Sequence, residues 1–173
     1  MAAIAIFVWL VVVPQVELRM YPLGYTVLVE RYAAEHNVPP AIVYAVIRTE
    51  SSFNPDARSH ADAKGLMQLT DDTSDWVALL SGEESNPAGI YDPEQNIRRG
   101  VYLLAYLYRE FGCWETVYAA YNAGMSRVKG WLADPAYSRD GVTLDEIPID
   151  ETRRYVAKVS QAAERYRELY GLG

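Results

Sequence analysis

The sequence predicts an all-α domain, and three observations carry the prediction. From Tyr21 onward apolar residues recur at three- and four-residue intervals, the period of a helix with one buried face. No Asn-Gly or Asp-Gly turn separates two alternating runs, so hairpins are not expected. The 173 residues, 50% apolar and 23% charged, have the length and composition of one soluble folding unit with a single core. The chain divides into an N-terminal hydrophobic segment, residues 1–20, and a helical domain, residues 21–173.

Ala2 to Val13 is an unbroken apolar run with no polar stripe. At the helical rise it reaches roughly 18 Å, short of the ~30 Å hydrocarbon core unless Pro14, Val16 and Leu18 extend it past Glu17. Its length suits the core of a signal peptide, yet no Lys or Arg precedes it and no small-x-small cleavage site follows. It is expected to export or anchor the domain; the other reading is a helix buried in the core, apolar on every face.

A helix is expected near 23–36, followed by Pro39-Pro40, residues suited to a first turn, opening a second helix that runs to about Ser51. The pattern predicts a further helix over 71–80. Asp92-Pro93-Glu94-Gln95 has the form of a capping box with an early proline, starting a helix that Gly112 ends. Helices over 114–123, 126–133 and 150–170 complete the set, leaving loops at 52–64, 81–91 and 134–149.

Several function classes are excluded. Sixteen Lys and Arg against 23 Asp and Glu give a net charge of −7, so nucleic acid is not an expected partner. Cys113 is the only cysteine, and with His36 and His60 alone it makes neither a disulfide nor a zinc cage, so no metal or other cofactor is expected. No glycine falls into a phosphate-cradling loop or dinucleotide fingerprint, and no serine into a Gly-x-Ser-x-Gly elbow.

The clue to function is a carboxylate out of place. Ile42, Val43, Val46 and Ile47 form one stripe on the second helix, and at 100° per residue Glu50 falls in the middle of it. Burying an unpaired carboxylate costs several kcal/mol, on the order of the desolvation of any lone charge. Either the helix has ended and Glu50 turns to solvent or pairs with Arg48 or Lys64, or the acid has a chemical task.

The residues after Glu50 favour the task. Glu50-Ser51-Ser52-Phe53-Asn54-Pro55-Asp56-Ala57-Arg58-Ser59 is followed by Gly65-Leu66-Met67-Gln68-Leu69, then Ala120-Tyr121-Asn122-Ala123-Gly124, then Glu151-Thr152-Arg153-Arg154-Tyr155-Val156. Together these resemble, in order and spacing, the signature blocks of the lytic transglycosylases of the soluble-transglycosylase and goose-type lysozyme group. The likeness spans residues 22–170. Two positions depart from it: Asp62 stands where the family prefers glycine, and Thr70 where a methionine is common. Asp tolerates a left-handed backbone better than most residues, so a turn could survive at Asp62.

The resemblance implies a lysozyme-like helical fold and cleavage of the β-1,4 bond between N-acetylmuramic acid and N-acetylglucosamine in peptidoglycan strands. It supplies one catalytic carboxyl, Glu50, acting first as acid and then as base. A 2-acetamido group on the substrate can stabilise the cationic centre itself, the exception to the two-carboxylate rule. Glu50 must then hold its proton near neutral pH, as an apolar surround of the Val46 and Ile47 kind would ensure.

Ser59, Gln68, Tyr121, Asn122 and Tyr155 match positions that line the cleft or touch the acid. Ser59 and Gln68 have donors for an acetamido carbonyl, and Tyr121 and Tyr155 can offer a hydroxyl to the acid and a ring face to a sugar. Each also has a packing role open to it: Tyr121 in the core, Asn122 with Gly124 ending a helix, Tyr155 in a stripe with Val159 and Tyr166. Glu151, a cap or a cleft residue, and Met67, more naturally a plug beneath the loop, are secondary candidates.

The expectation is a monomeric, membrane-attached enzyme acting outside the cytoplasm on the bacterial wall. Its rivals are a hydrolytic muramidase and a silent glycan-binding scaffold.

Overall fold

The computed structural model describes residues 13–172, so the Ala2 to Val13 run lies, apart from its last residue, outside the described residues. Eight α-helices follow in order: α1 Val13–Met20, α2 Thr26–His36, α3 Pro40–Ser51, α4 Asp71–Ser81, α5 Pro93–Phe111, α6 Trp114–Ala123, α7 Met125–Leu132 and α8 Asp150–Tyr170, with a 3₁₀ turn at Pro87–Gly89. No regular strand occurs among the described residues; the nearest approach is a pair of isolated bridges, Arg58 with Lys64 and Lys64 with Leu69. The fold is therefore all-α, as the periodicity predicts.

The axis of the molecule is α3. Its residues Ala41 to Ile47 are wholly buried, so the expected stripe of Ile42, Val43, Val46 and Ile47 is only part of a helix enclosed on all sides. Each such Val or Ile contributes about 1.5–3 kcal/mol relative to exposure. Pro40 opens the helix, where the missing N–H is no loss, and Ser52 ends it with a left-handed backbone (φ 51°). α8 packs along α3, and the rings of Tyr44 and Tyr166 stack between them at 5.4 Å. α5 lies across α2 and α6, while α6 also packs on α8. Glu50, in the last turn of α3, is thus held by the most completely buried segment of the chain.

Local chemistry fixes the helix ends. Asp92 caps α5 through Oδ1, which accepts the Gln95 N–H at 2.9 Å, and Gly112 (φ 68°) ends the helix. The expected capping box is only half formed. Instead of reaching back to Asp92, the Gln95 side chain exchanges two 2.9 Å hydrogen bonds with Asn86, because the 3₁₀ turn brings that residue within reach. Thr70 is the N-cap of α4, its Oγ1 accepting the Thr73 N–H.

The segment between α3 and α4 carries much of the cleft, and one buried side chain ties it down. Asn96, 1% exposed on α5, accepts the Met67 N–H at 2.7 Å and donates to the carbonyls of Lys64 (3.0 Å) and Ile90 (2.8 Å). Gly65 lies against it at φ 77°; a Cβ there would sit 2.4 Å from Asn96 Nδ2, so both conformation and space require glycine. Met67 is fully buried over Gly100 of α5 and is not among the cleft walls.

Candidate active site

Glu50 reaches from α3 toward α8, where the Tyr155 hydroxyl donates to its Oε1 at 2.7 Å. Burial pushes the carboxyl up to about 7, and the Tyr155 bond, which favours the charged form, only partly opposes this. Glu50 is therefore an acid that still holds its proton near neutrality. Burial likewise holds the Tyr155 and Tyr121 phenols well above their ordinary values, so both remain neutral donors.

Beside Glu50 opens a cleft of about 440 Å³, whose walls include Ser59, Gln68, Thr70, Tyr121, Asn122 and Glu151. Most residues singled out from the sequence are thus brought together, but several do other work than expected. The Ser59 Oγ accepts the Ala63 N–H at 3.1 Å and keeps its own hydrogen for a ligand. Gln68 spends its amide nitrogen on the carbonyls of Ala57 (3.1 Å) and Gly65 (2.9 Å), with a left-handed backbone at φ 48°. It cannot also donate to an acetamido carbonyl; its Oε1 is what remains, an acceptor suited to an amide N–H.

Tyr121 gives its hydroxyl to the Met67 carbonyl at 2.7 Å, pinning the loop to α6, and not to Glu50. Tyr155 supplies the hydroxyl bond to the acid but is 8% exposed and is not among the cleft walls, so its ring is no platform for a sugar. Asn122 accepts from the buried Thr152 hydroxyl at 2.8 Å, an orientation that leaves its Nδ2 for the cleft. Glu151 stands exposed on the wall, in the first turn of α8.

Asp62 adopts the left-handed conformation anticipated for it, φ 60°, and the turn survives. It pairs with Arg58 and, at 3.5 Å, with Lys64, and these cations hold its carboxyl below the usual range. It is not a cleft wall. Among the described residues no group of three or more His, Cys, Asp or Glu gathers at metal-binding distance.

The residues missed from sequence are those that build the site without lining it. Asn96 holds the loop and Thr152 sets the Asn122 amide, each through polar groups far apart in the chain. Thr70, singled out from sequence only as a departure from the family, both lines the cleft and caps α4, a role with a local signal because Thr directly before a helix is a favoured N-cap.

Residues 27–140 match the family model described as the transglycosylase SLT domain. Over 156 residues, 87% of this chain, the sequence is 37% identical to the soluble lytic murein transglycosylase of Escherichia coli K12, and it spans 24% of that protein's length. It is 32% identical over 166 residues to the membrane-bound lytic murein transglycosylase C of Yersinia pestis, covering 83% of this chain and 46% of that one. The crystal structure of the 70 kDa soluble lytic transglycosylase from Escherichia coli superposes with a TM-score of 0.79 at 33% identity, over 90% of this chain and 26% of that one. The chain belongs to the SLT transglycosylase domain family.

Proposed function

We propose that this domain is a peptidoglycan lytic transglycosylase with Glu50 as its acid and then its base. The observation that carries the reading is a carboxyl pushed up to about 7 by burial, on the wall of an open cleft, in a chain whose relatives are named lytic murein transglycosylases. Glu50 protonates the glycosidic oxygen as the C–O bond breaks, and the acetamido oxygen of the substrate supports the developing cation. The Glu50 carboxylate then takes the proton from the muramic acid 6-hydroxyl, whose oxygen closes a 1,6-anhydro ring on C1. The proton lost in the first step is regained in the second, and no water is consumed. Tyr155 holds the Glu50 carboxylate in place and stabilises the charge between the two steps.

Ser59, Gln68, Tyr121 and Asn122 shape the glycan groove, Ser59 and Asn122 as donors and Gln68 as acceptor. The enzyme is proposed to act as a monomer. A binding scaffold would have no use for a desolvated acid at this position. The apolar run at residues 2–13 is proposed as the membrane anchor; the name of the Yersinia relative supports this, while no helix among the described residues is long and apolar enough to cross a membrane.

Hydrolysis is the second reading, and Glu151 on the cleft wall gives it a candidate base. Digestion of purified peptidoglycan in isotopically labelled water separates the two. Unlabelled anhydromuramic ends support transglycosylation; labelled reducing ends overturn it.

A further inference from the structure

A second pocket, about 420 Å³ and sharing no residue with the cleft, lies between the end of α1, α3 and α8. It is lined by Met20, Tyr21, Arg48, Thr49, Lys158 and Gln161, with no carboxylate among them. Arg48 is held in position: its Nε donates to the Met20 carbonyl at 2.8 Å and its guanidinium lies 4.3 Å over the Tyr21 ring. Among the described residues its two terminal nitrogens have no acceptor and Lys158 has no carboxylate within 4.0 Å. Three other cations of α8 are paired, Arg153 with Asp150, Arg165 with Glu17 and Glu168, and Arg167 with Glu164, whereas Arg154, which does not line the pocket, has no carboxylate partner among the described residues. In a chain of net charge −7, two cations left without counter-charges around one recess are conspicuous. The Thr49 hydroxyl beside them is buried and without a partner.

The surroundings indicate what supplies the missing anion. Val16 (48%), Leu18, Met20, Leu23 and Val27 (70%) are exposed, so residues 16–27, which include the pocket residues Met20 and Tyr21, carry large apolar side chains on their surface. α1 runs from Val13 to Met20, a rise of about 12 Å, so the pocket stays within about 12 Å of the hydrocarbon boundary, close to the headgroup layer, if residues 2–13 enter a bilayer. Exposed apolar side chains around a cationic recess match the boundary between acyl chains and phosphates. A fixed guanidinium with two free nitrogens presents the geometry that binds a phosphate through paired N–H groups.

We propose that this pocket binds the phosphate of an anionic lipid headgroup, seating the domain on the membrane surface with its cleft elsewhere. The lipid source rests on the anchor reading above; the phosphate site itself does not.

The test uses the full chain in dodecyl maltoside micelles doped with phosphatidylglycerol or phosphatidylcholine, with retained lipid read by native mass spectrometry. Phosphatidylglycerol should be retained over phosphatidylcholine, inorganic phosphate should displace it, and Arg48→Gln with Lys158→Gln should weaken retention about tenfold or more. Lys158→Gln alone changes an exposed residue, keeps the Met20 bond and should show part of the loss with an unchanged circular dichroism spectrum. Equal retention of the two lipids, or retention by the double variant equal to wild type, overturns the lipid assignment. Inorganic phosphate titrated by calorimetry then decides the site separately: binding lost in the variants keeps a phosphate site for a soluble anion, and no binding overturns the site whatever becomes of the anchor.

Discussion

Glu50 and Asp140 are both carboxyl groups, and the structure treats them in opposite ways. Glu50 sits at the end of the most buried helix with a single donor, the Tyr155 hydroxyl, and is pushed up to about 7. Asp140 sits exposed in the loop before α8 and accepts from Ser138 Oγ, Val142 N, Thr143 N and Thr143 Oγ1, the last three within 2.8 Å. Those donors hold its carboxyl far below the usual range. An acid surrounded by donors is a structural tie that stays charged. An acid largely shielded from water and given a single donor is a proton store, and its place in the fold costs stability.

The strongest way to break the comparison is Glu50→Gln. The amide keeps the shape but has no proton to deliver, so cleavage of purified peptidoglycan should fall by about a thousandfold or more. The same substitution should stabilise the protein at alkaline pH. Because the folded carboxyl titrates near 7 and its ordinary value is 4.5, the folded state binds the proton more tightly. The wild type therefore loses stability as pH rises between those values, by about 3 kcal/mol at most. Thermal melts of wild type and variant should agree more closely at pH 4 and diverge in favour of Gln by pH 8. Activity within tenfold of wild type, or melts with no pH dependence in their difference, would overturn the assignment.

Tyr155→Phe sharpens the comparison by taking away the one donor Glu50 has. That bond favours the carboxylate, so its loss should raise the Glu50 value further and move the alkaline limb of the kcat/KM profile upward, with a loss of roughly tenfold at the optimum. A downward move of the limb would mean that Tyr155 acts otherwise than as a donor to the charged form.

Asp140→Asn probes the other side. A group held below its ordinary value contributes stability above that value and loses it as pH falls through the folded one. The variant should melt earlier than wild type at pH 5–8, converge with it in acid, and retain full turnover on peptidoglycan.

How much of this was legible in the sequence follows the same division. The helices were readable because their periods and ends are local: Pro40 at a first turn, Asp92 and Gly112 around α5, Gly124 after α6. Glu50 stood out because an acid on an apolar stripe conflicts with its surroundings at short range. The allocation of hydrogen bonds was not legible. Tyr121 and Tyr155 look equally able to hold an acid, and only the packing of α6 and α8 sends one hydroxyl to Met67 and the other to Glu50. Gln68 failed as a donor for the same reason, its amide being taken by carbonyls that the folded loop brings to it.

Asp62 is the smallest expected effect and the test of whether a second acid takes part. Glycine, common in the family at this position, adopts φ 60° without strain, which offsets the loss of the pairs with Arg58 and Lys64. Lys64 also keeps its contact with Asp71 at 2.6 Å, so the loop should hold its shape in Asp62→Gly. As a general base Asp62 is poorly suited, because efficient bases titrate near the working pH and its two cations pull it the other way. Being exposed and absent from the cleft walls, it also has no evident route to a water at the cut bond. Asp62→Gly should therefore change neither the rate, beyond about twofold, nor the anhydro product. Oxygen from labelled water at muramic acid ends in the wild type, lost in this variant, would make Asp62 the base of a hydrolase and leave Glu50 its acid alone.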